Sequence, residues 1–277
     1  MTRRQFLFSA SGAGFPLAYD GRFIEPNWFE VTRKPVRLTR PLQNGPFRLL
    51  HLSDLHASAA VPISTIDRAI TLGLAEKPDL ICLTGDYITS REEHPHAEYV
   101  AALRRLSNAA PTFAVLGNHD GGRWSGNSRG YKDHRVVERI LEDSGIALLH
   151  NRSVRLTLHG DPLLLTGVGD LWAHEIEAPR AFNGVTESDN VILLSHNPDS
   201  KDRLGAFPWQ LMLSGHTHGG QVVFPLLGPV FAPVKDKRYV AGLKPWGSRQ
   251  IHVTRGVGSI DGVRFLCRPE VSMLLLS

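Results

Sequence analysis

Cysteine is scarce: the 277 residues hold two, Cys82 and Cys267. Two thiols so far apart make no disulfide framework, and they leave the redox compartment open. Cys82 lies inside the apolar run Leu80-Ile81-Cys82-Leu83, which reads as a buried structural thiol. There is no low-complexity tract and no repeat of solenoid period, which excludes a repeat array. There is no long Lys/Arg run and no nucleic-acid-binding motif, so no specific nucleic-acid partner is expected. The net charge of +4 then reads as a mildly basic surface, or as attraction to a phosphate-bearing substrate or an anionic membrane face. Apolar residues make up 42% and charged residues 21%, a globular balance. The length suffices for one large α/β domain or two small ones.

Beyond the amino terminus no window is long and apolar enough to cross a membrane. Thr2-Arg3-Arg4-Gln5-Phe6-Leu7 has the form of a twin-arginine export signal. The stretch that follows, Phe8 to Leu17, is weakly apolar, interrupted by glycine, and too short to span. It shows no clear small-x-small cleavage site. Residues 1–20 therefore read as a leader and 21–45 as an irregular arm, with one domain over 46–277. Phe23, Trp28 and Phe29 would pack the arm onto the domain, with Trp28-Phe29 resting on a membrane interface as the other reading. The expected partner is the twin-arginine export machinery. The expected place is the periplasm or cell envelope, with peripheral membrane association, or the cytoplasm if the leader does not function.

From residue 46 strands and helices alternate. Phe47–Leu52 reads as a strand with Asp54 past its end. Pro62–Glu76 reads as a helix with Ile63, Ile66, Ile70 and Leu74 as its apolar stripe. Strands follow at Asp79–Thr84 and Thr112–Leu116, with helices at Glu98–Leu106 and Asp133–Ser144. The second half is richer in strands. Val154–Leu158 and Leu163–Val168 read as a hairpin, and Val191–Leu194, Leu211–Leu213, Gln221–Phe224, Tyr239–Gly242, Gln250–Thr254 and Val271–Leu276 complete the set. The expectation is an α/β protein, a layered α/β/β/α sandwich of two packed mixed sheets flanked by helices.

Five short blocks stand directly after apolar runs. They are Asp54-Leu55-His56, Gly85-Asp86, Gly117-Asn118-His119-Asp120, Ser195-His196 and Gly215-His216-Thr217-His218. Ligands bind at the carboxyl ends of strands in open α/β sheets. Strand ends feeding one sheet edge can therefore gather residues distant in sequence. Asp54 and Asp86 offer hard anionic oxygens, and Asn118 offers a neutral one. His56, His196, His216 and His218 offer imidazole nitrogens. Such mixed donors favour Mn, Fe, Co, Ni or Zn over Ca or Mg. Seven groups exceed the four of a simple zinc site. Two divalent ions sharing one carboxylate would use them all.

The order Asp-x-His, Gly-Asp, Gly-Asn-His-Asp, Ser-His, Gly-His-x-His resembles the calcineurin-like metallophosphoesterase superfamily from about residue 46 to the carboxyl terminus. The twin-arginine start, Glu25-Pro26-Asn27-Trp28-Phe29, Gly169-Asp170-Leu171-Trp172, His196-Asn197-Pro198-Asp199, Gly219-Gly220-Gln221 and Asp236-Lys237-Arg238-Tyr239 narrow it to the bacterial YaeI/YkuE-type phosphodiesterases. The resemblance implies that fold and a role for each residue. Asp54, His56 and His218 would hold a first metal, Asn118, His196 and His216 a second, and Asp86 both. His119 would contact phosphate and assist the leaving group, with Asp120 orienting its imidazole. The implied activity is a dinuclear metal-dependent phosphohydrolase, a phosphodiesterase, in which a metal-activated hydroxide attacks phosphorus. Its substrate would be a small-molecule or lipid phosphodiester or pyrophosphate. The second enzymatic reading is a UDP-2,3-diacylglucosamine-type lipid-linked pyrophosphatase. The reading from another class is a non-catalytic scaffold of the same fold, against which the intact blocks speak.

The remaining candidates have plainer readings. His51 reads as a core or sheet-face histidine, and His134, His150, His159, His174 and His252 as surface residues. Asp170 and Trp172 either line the pocket or pack. Arg255 and Arg238 either bind phosphate or form ion pairs. Arg123 and Trp124 lie in the glycine-rich stretch Gly121–Gly130, beside His119, where specificity could reside.

Overall fold

In the computed structural model, residues 19–91, 95–128 and 130–277 are described. The export-signal reading falls on residues 2–17, outside them. The central strands are short apolar runs because both of their faces are covered. β2 (Phe47–Leu52), β3 (Leu80–Thr84) and β4 (Thr112–Val115) run parallel, and β5 (Ala147–Leu148) adds to their edge. On the other side β14 (Glu270–Leu276) is antiparallel to β2, and β1 (Glu30–Val36) runs parallel to β14. The second sheet repeats the plan. β7 (Asp161–Gly167), β8 (Val191–Leu194), β9 (Leu211–Ser214) and β13 (Arg249–Val253) are parallel. β6 (Arg152–Leu158) and β12 (Gly242–Trp246) close its two edges antiparallel.

Alternation sorts the side chains. Phe47, Leu49, Leu80, Cys82, Phe113 and Val115 of the first sheet meet Leu165, Ile192, Leu194, Leu211 and Leu213 of the second in one buried layer. The residues between them face outward. Leu50, Leu52, Ile81, Leu83 and Ala114 pack under α1 (Ile63–Ala75), α2 (His96–Ala109) and α4 (Arg135–Asp143). Leu193, Met212, Ile251 and Val253 are covered by Trp209, Phe182 and the loops around Tyr239. Cys82 is buried, and burial raises its thiol far above the ordinary value, so it is inert.

Several elements differ from the sequence reading. Residues 30–36 form an edge strand inside the stretch expected to be irregular. They carry Arg33, Lys34 and Pro35 on an exposed edge, so no apolar alternation marks them. Tyr239–Gly242 is not a strand. Asp236 accepts from the Arg238 backbone N–H at 3.1 Å and turns Lys237–Tyr239 into a 3₁₀ segment, so the strand starts at Gly242. The glycine-rich stretch holds a short helix, α3 (Gly122–Asn127). His252 is fully buried rather than on the surface. It faces His51 across the sheets, Nδ1 to Nδ1 at 3.0 Å, and His51 Nε2 reaches Thr84 Oγ1 at 2.8 Å. His51 is the core histidine expected. Burial lowers both imidazoles, so this polar belt between the sheets is neutral.

Candidate active site

The carboxyl ends of β2, β3 and β4 from one sheet, and of β8 and β9 from the other, open onto one edge. All five sequence blocks lie there. The backbone turns abruptly after each strand. Asp54, His56, Asp86, His216 and His218 all take positive φ, between 48° and 70°. A non-glycine residue in that region costs about 1 kcal/mol or more, and such residues cluster where function demands a side chain. The loops also touch closely. A Cβ on Gly117 would overlap the Asp86 carboxylate, and one on Gly215 would overlap Ser53 and Asp54. Glycine at these two positions is what allows ligand-bearing loops to meet.

The polar groups converge within hydrogen-bonding range. His56 Nε2 lies 3.1 Å from His218 Nε2, and His218 Nε2 lies 3.4 Å from Asp54 Oδ1. His216 Nδ1 is 3.2 Å from His196 Nε2. Asp86 Oδ2 stands between the two groups, 3.4 Å from His56 Nε2 and 3.2 Å from His196 Nε2. Asp54, His56 and His218 form one cluster of donor atoms, and Asp54, Asp86 and His196 another. Asn118 is buried beside them between Gly117 and His119, and its Oδ1 has no hydrogen-bond partner among the described residues. His216 Nε2 and His218 Nδ1 are likewise buried without partners. Pairs of imidazole nitrogens at 3.1 to 3.2 Å, with buried orphan acceptors around them, are what a cation with bonds of about 2.0–2.2 Å requires. These residues fit a metal.

Backbone anchors hold the ligands. His196 Nδ1 meets the Thr84 carbonyl at 2.6 Å, tying the second sheet to the first. Asp54 accepts the His216 N–H at 3.0 Å. The ordinary partners of a metal-binding imidazole and carboxylate are of this kind.

Electrostatics without cations is frustrated. Burial pushes the Asp54 carboxyl up to about 6, and lowers His56 to about 3. Burial pushes His216 and His218 well below the ordinary imidazole value. Burial also opposes charge on His196, but the Asp86 and Asp54 carboxylates win and raise it to about 10. Burial opposes charge on Asp86 as well, yet His196 and His119 hold it well below the usual carboxylate range. Without cations, Asp86 and His196 would favour an ion pair among imidazoles that burial keeps neutral.

Beside this cluster His119 is half-buried. Its backbone N–H donates to Asp86 Oδ1 at 2.9 Å, and its Nδ1 meets the Thr89 carbonyl at 2.8 Å. Nε2 is therefore the ring's free proton-exchanging atom. Asp120 does not support this ring. Its two oxygens accept the N–H groups of Asp86, Gly117 and Tyr87 at 2.6 to 2.7 Å. The group hydrogen-bonded to the ring is the Thr89 carbonyl, while Asp120, expected there, instead joins two ligand loops through their N–H groups. Trp172 stands edge-on to His216 at 4.3 Å, and Trp124 of α3 packs against both Trp172 and His119. These rings wall the site. Arg255 and Arg238 are ion-paired, with Glu30 and Glu270 and with Asp236 respectively.

Two contributors escaped the sequence reading. Thr89 acts through its carbonyl, which no residue type announces. Arg264 is fully buried and donates to the carbonyls of Cys267, Arg255, Gly256 and Gly258. Gly258 in turn donates to the Asp54 carbonyl at 2.7 Å, so Arg264 braces the Asp54 turn from below.

This fold and this cluster define a metallophosphoesterase. Residues 47–220 match the family described as calcineurin-like phosphoesterase, and the chain belongs to that family. Phosphodiesterase YaeI of Escherichia coli (strain K12) is 42% identical over 281 residues, spanning 100% of this chain and 99% of that protein. The uncharacterized metallophosphoesterase YkuE of Bacillus subtilis (strain 168) is 32% identical across 100% of this chain and 98% of its own length. The UDP-2,3-diacylglucosamine pyrophosphatase LpxG of Chlamydia muridarum is 26% identical, covering 91% of this chain and 90% of that one. Among solved structures, the 5'-nucleotidase precursor of Thermus thermophilus shares the fold with TM-score 0.50 at 10% identity, over 83% of this chain and 54% of that one.

Two outcomes are expected of the site. At pH 7.5 metal binding releases at least one proton, because His196 is charged in the free site and must be neutral to ligate. Calorimetry in buffers of different ionisation heat checks this, and zero release would remove His196 from the ligand set. Asp120→Asn places an amide N–H against backbone donors, so it should cost about 1–3 kcal/mol in urea unfolding. It should leave the dependence of rate on leaving-group basicity unchanged, whereas an altered dependence would return Asp120 to the chemistry.

Proposed function

We propose that the chain is a dinuclear phosphodiesterase. The observation that carries this reading is the single Asp86 oxygen poised between His56 and His196. Asp54, His56 and His218 would hold one ion, Asn118, His196 and His216 the other, and Asp86 both. When bound, two divalent cations would supply acidified water and neutralise charge on the phosphate. The mixed oxygen and nitrogen donors suit Mn, Fe, Zn, Co or Ni.

The chain's own residues do the rest. His119, whose Nδ1–H donates to the Thr89 carbonyl, would present Nε2 to the leaving oxygen and, in its doubly protonated form, give it the Nε2 proton. Trp172 and Trp124 exclude water from one side and give a substrate's apolar or aromatic part a flat wall. The strand-end turns keep every ligand in place before substrate arrives, so little reorganisation is needed during reaction.

The identity to a named phosphodiesterase over the full chain supports a diester. A pyrophosphate in a lipid-linked nucleotide is the second reading, and the relative that acts on UDP-2,3-diacylglucosamine favours it. Release of UMP from that lipid would separate the two. We further propose export through the twin-arginine machinery and peripheral residence at the membrane, on the strength of Arg3-Arg4-Gln5-Phe6-Leu7.

The test uses bis-p-nitrophenyl phosphate and an alkyl phosphodiester with each candidate metal. His119→Ala should keep its metal content and lose about 10²-fold or more with the alkyl leaving group. The loss with nitrophenolate, which departs without a proton, should be smaller. Full activity of His119→Ala on the alkyl diester would defeat the proton-donor assignment.

A further inference from the structure

Residues 222–234 run for thirteen positions without one charged or hydrogen-bonding side chain. A core would hide such a segment, but this one is displayed. It forms the hairpin of β10 (Val223–Phe224) and β11 (Gly228–Pro229). Leu226 is 107% exposed, Leu227 81%, Phe231 78% and Val230 63%. Leu226 also takes φ +71° at the tip, a conformation with a cost that no packing contact of its own offsets.

Three features say what covers this hairpin. First, the adjoining groove, about 450 Å³, is lined mainly by Val222, Val230, Phe231 and Pro233, with Gln221 and Asp261 as polar members and His216 and His218 also in its lining. An occupant that fills it has an apolar body and an end at the metal-ligating histidines. Second, Lys235, Lys237 and Arg238 follow the hairpin with a single acid, Asp236, among them. Arg238 is paired with Asp236, which leaves Lys235 and Lys237 as the net positive charge that follows the apolar tip, the sign that suits anionic lipid. Third, the apolar surface continues to the point where the described chain begins. Phe224 packs on Phe265 at 5.5 Å, and Leu266 is exposed. Arg264 donates its N–H to Gly21, beside exposed Phe23 and Ile24. Tyr19, itself exposed and packed on Phe23, adds to this apolar face. A protein interface carries about one hydrogen bond per 100–200 Å². The hairpin's side chains offer none, which disfavours a protein partner.

We propose that the 222–231 hairpin inserts into an anionic lipid surface and that the groove receives the acyl end of a phosphorylated membrane lipid. Insertion stands on the exposed residues alone. The placement of the lipid phosphate at the Asp–His cluster rests on the phosphoesterase reading.

The full chain carrying Leu226→Cys is labelled with an environment-sensitive dye, since Cys82 and Cys267 are buried. Vesicles of phosphatidylcholine with phosphatidylglycerol should shift its emission to the blue, and doxyl-labelled lipid should quench it. Vesicles of phosphatidylcholine alone should do so more weakly. Protein that sediments with the vesicles while its dye emission stays unchanged would overturn insertion, whatever residues 1–18 contribute. The Leu226→Ser/Leu227→Ser variant should hydrolyse a phosphodiester lipid in vesicles at least about tenfold more slowly. A dye shielded without vesicles, in a dimer that this double variant dissociates, would name a second copy as the occupant and also overturn the proposal. Insertion without turnover of any phosphate ester would instead refute the phosphoesterase reading and leave insertion standing.

Discussion

Asp54 joins two half-structures. Its turn follows β2 of the first sheet, and its carboxylate accepts the backbone N–H of His216, which follows β9 of the second. A second tie runs the other way, from the His196 ring to the carbonyl that ends β3. The sheets are pressed together along their length by apolar side chains, whose packing is not directional, and the His51–His252 contact is the polar exception within that layer. These two polar links at the open edge set the relative placement of donor atoms from opposite sheets. Cation binding in such a seam depends on them, because a shift of a few tenths of an ångström across the sheets would move three imidazoles against two carboxylates. Arg264 extends the same constraint. Among the described residues it is buried without a carboxylate partner in contact, and it directs its donors to four carbonyls around the Asp54 turn.

The cost of this arrangement is local, and the fold carries it. Five ligand residues hold left-handed backbone, two acids are raised by burial, and three imidazoles are forced neutral. Each would be relieved by relaxing a loop. The loops do not relax because they are short continuations of fully buried strands and because Asp120 binds three N–H groups of two of them at once. The stored frustration has a direction. Positive charge at the centre would lower the acids and engage the orphan acceptors of Asn118, His216 and His218. The stability of the core thus keeps the site ready for charge, rather than the charge organising the site.

The strands that carry ligands were legible because burial on both faces makes them short apolar runs, and a polar Asp, Asn or His directly after such a run has no solvent-facing excuse. All seven expected ligand positions lie at one edge for that reason. Exposed edges hide from the same logic: Glu30–Val36 is a strand whose charged side chains face water, and only its pairing with β14 reveals it. His252 was misplaced because its neighbours Ile251 and Val253 point away from it. Alternation puts His252 on the inter-sheet face, where only His51 of another strand could show that a polar partner waits. Asp120 shows a subtler limit. Adjacency to His119 suggested a carboxylate–imidazole pair, but a residue next in sequence on a tight turn points elsewhere, and backbone N–H groups claimed it. Backbone acceptors such as the Thr89 carbonyl leave no trace in residue type.

The hairpin of residues 222–231 and the metal cluster share a physical logic. His216 and His218 end one strand of the second sheet, and the chain then passes through Gly219 and Gly220, both at positive φ, straight into the apolar segment. The residues that would hold a cation and those proposed to meet lipid are thus separated by three residues, Gly219, Gly220 and Gln221. A phosphate bound at the cluster would lie beside a groove lined mainly by apolar side chains, with Lys235 and Lys237 following in the chain. Selection between diesters in such a site falls to the body of the substrate more than to its phosphate. A soluble diester leaves the groove wet and the exposed leucines hydrated. An acylated one removes both from water at about 25 cal/mol per Å² of apolar surface, a gain available before any bond to phosphorus changes.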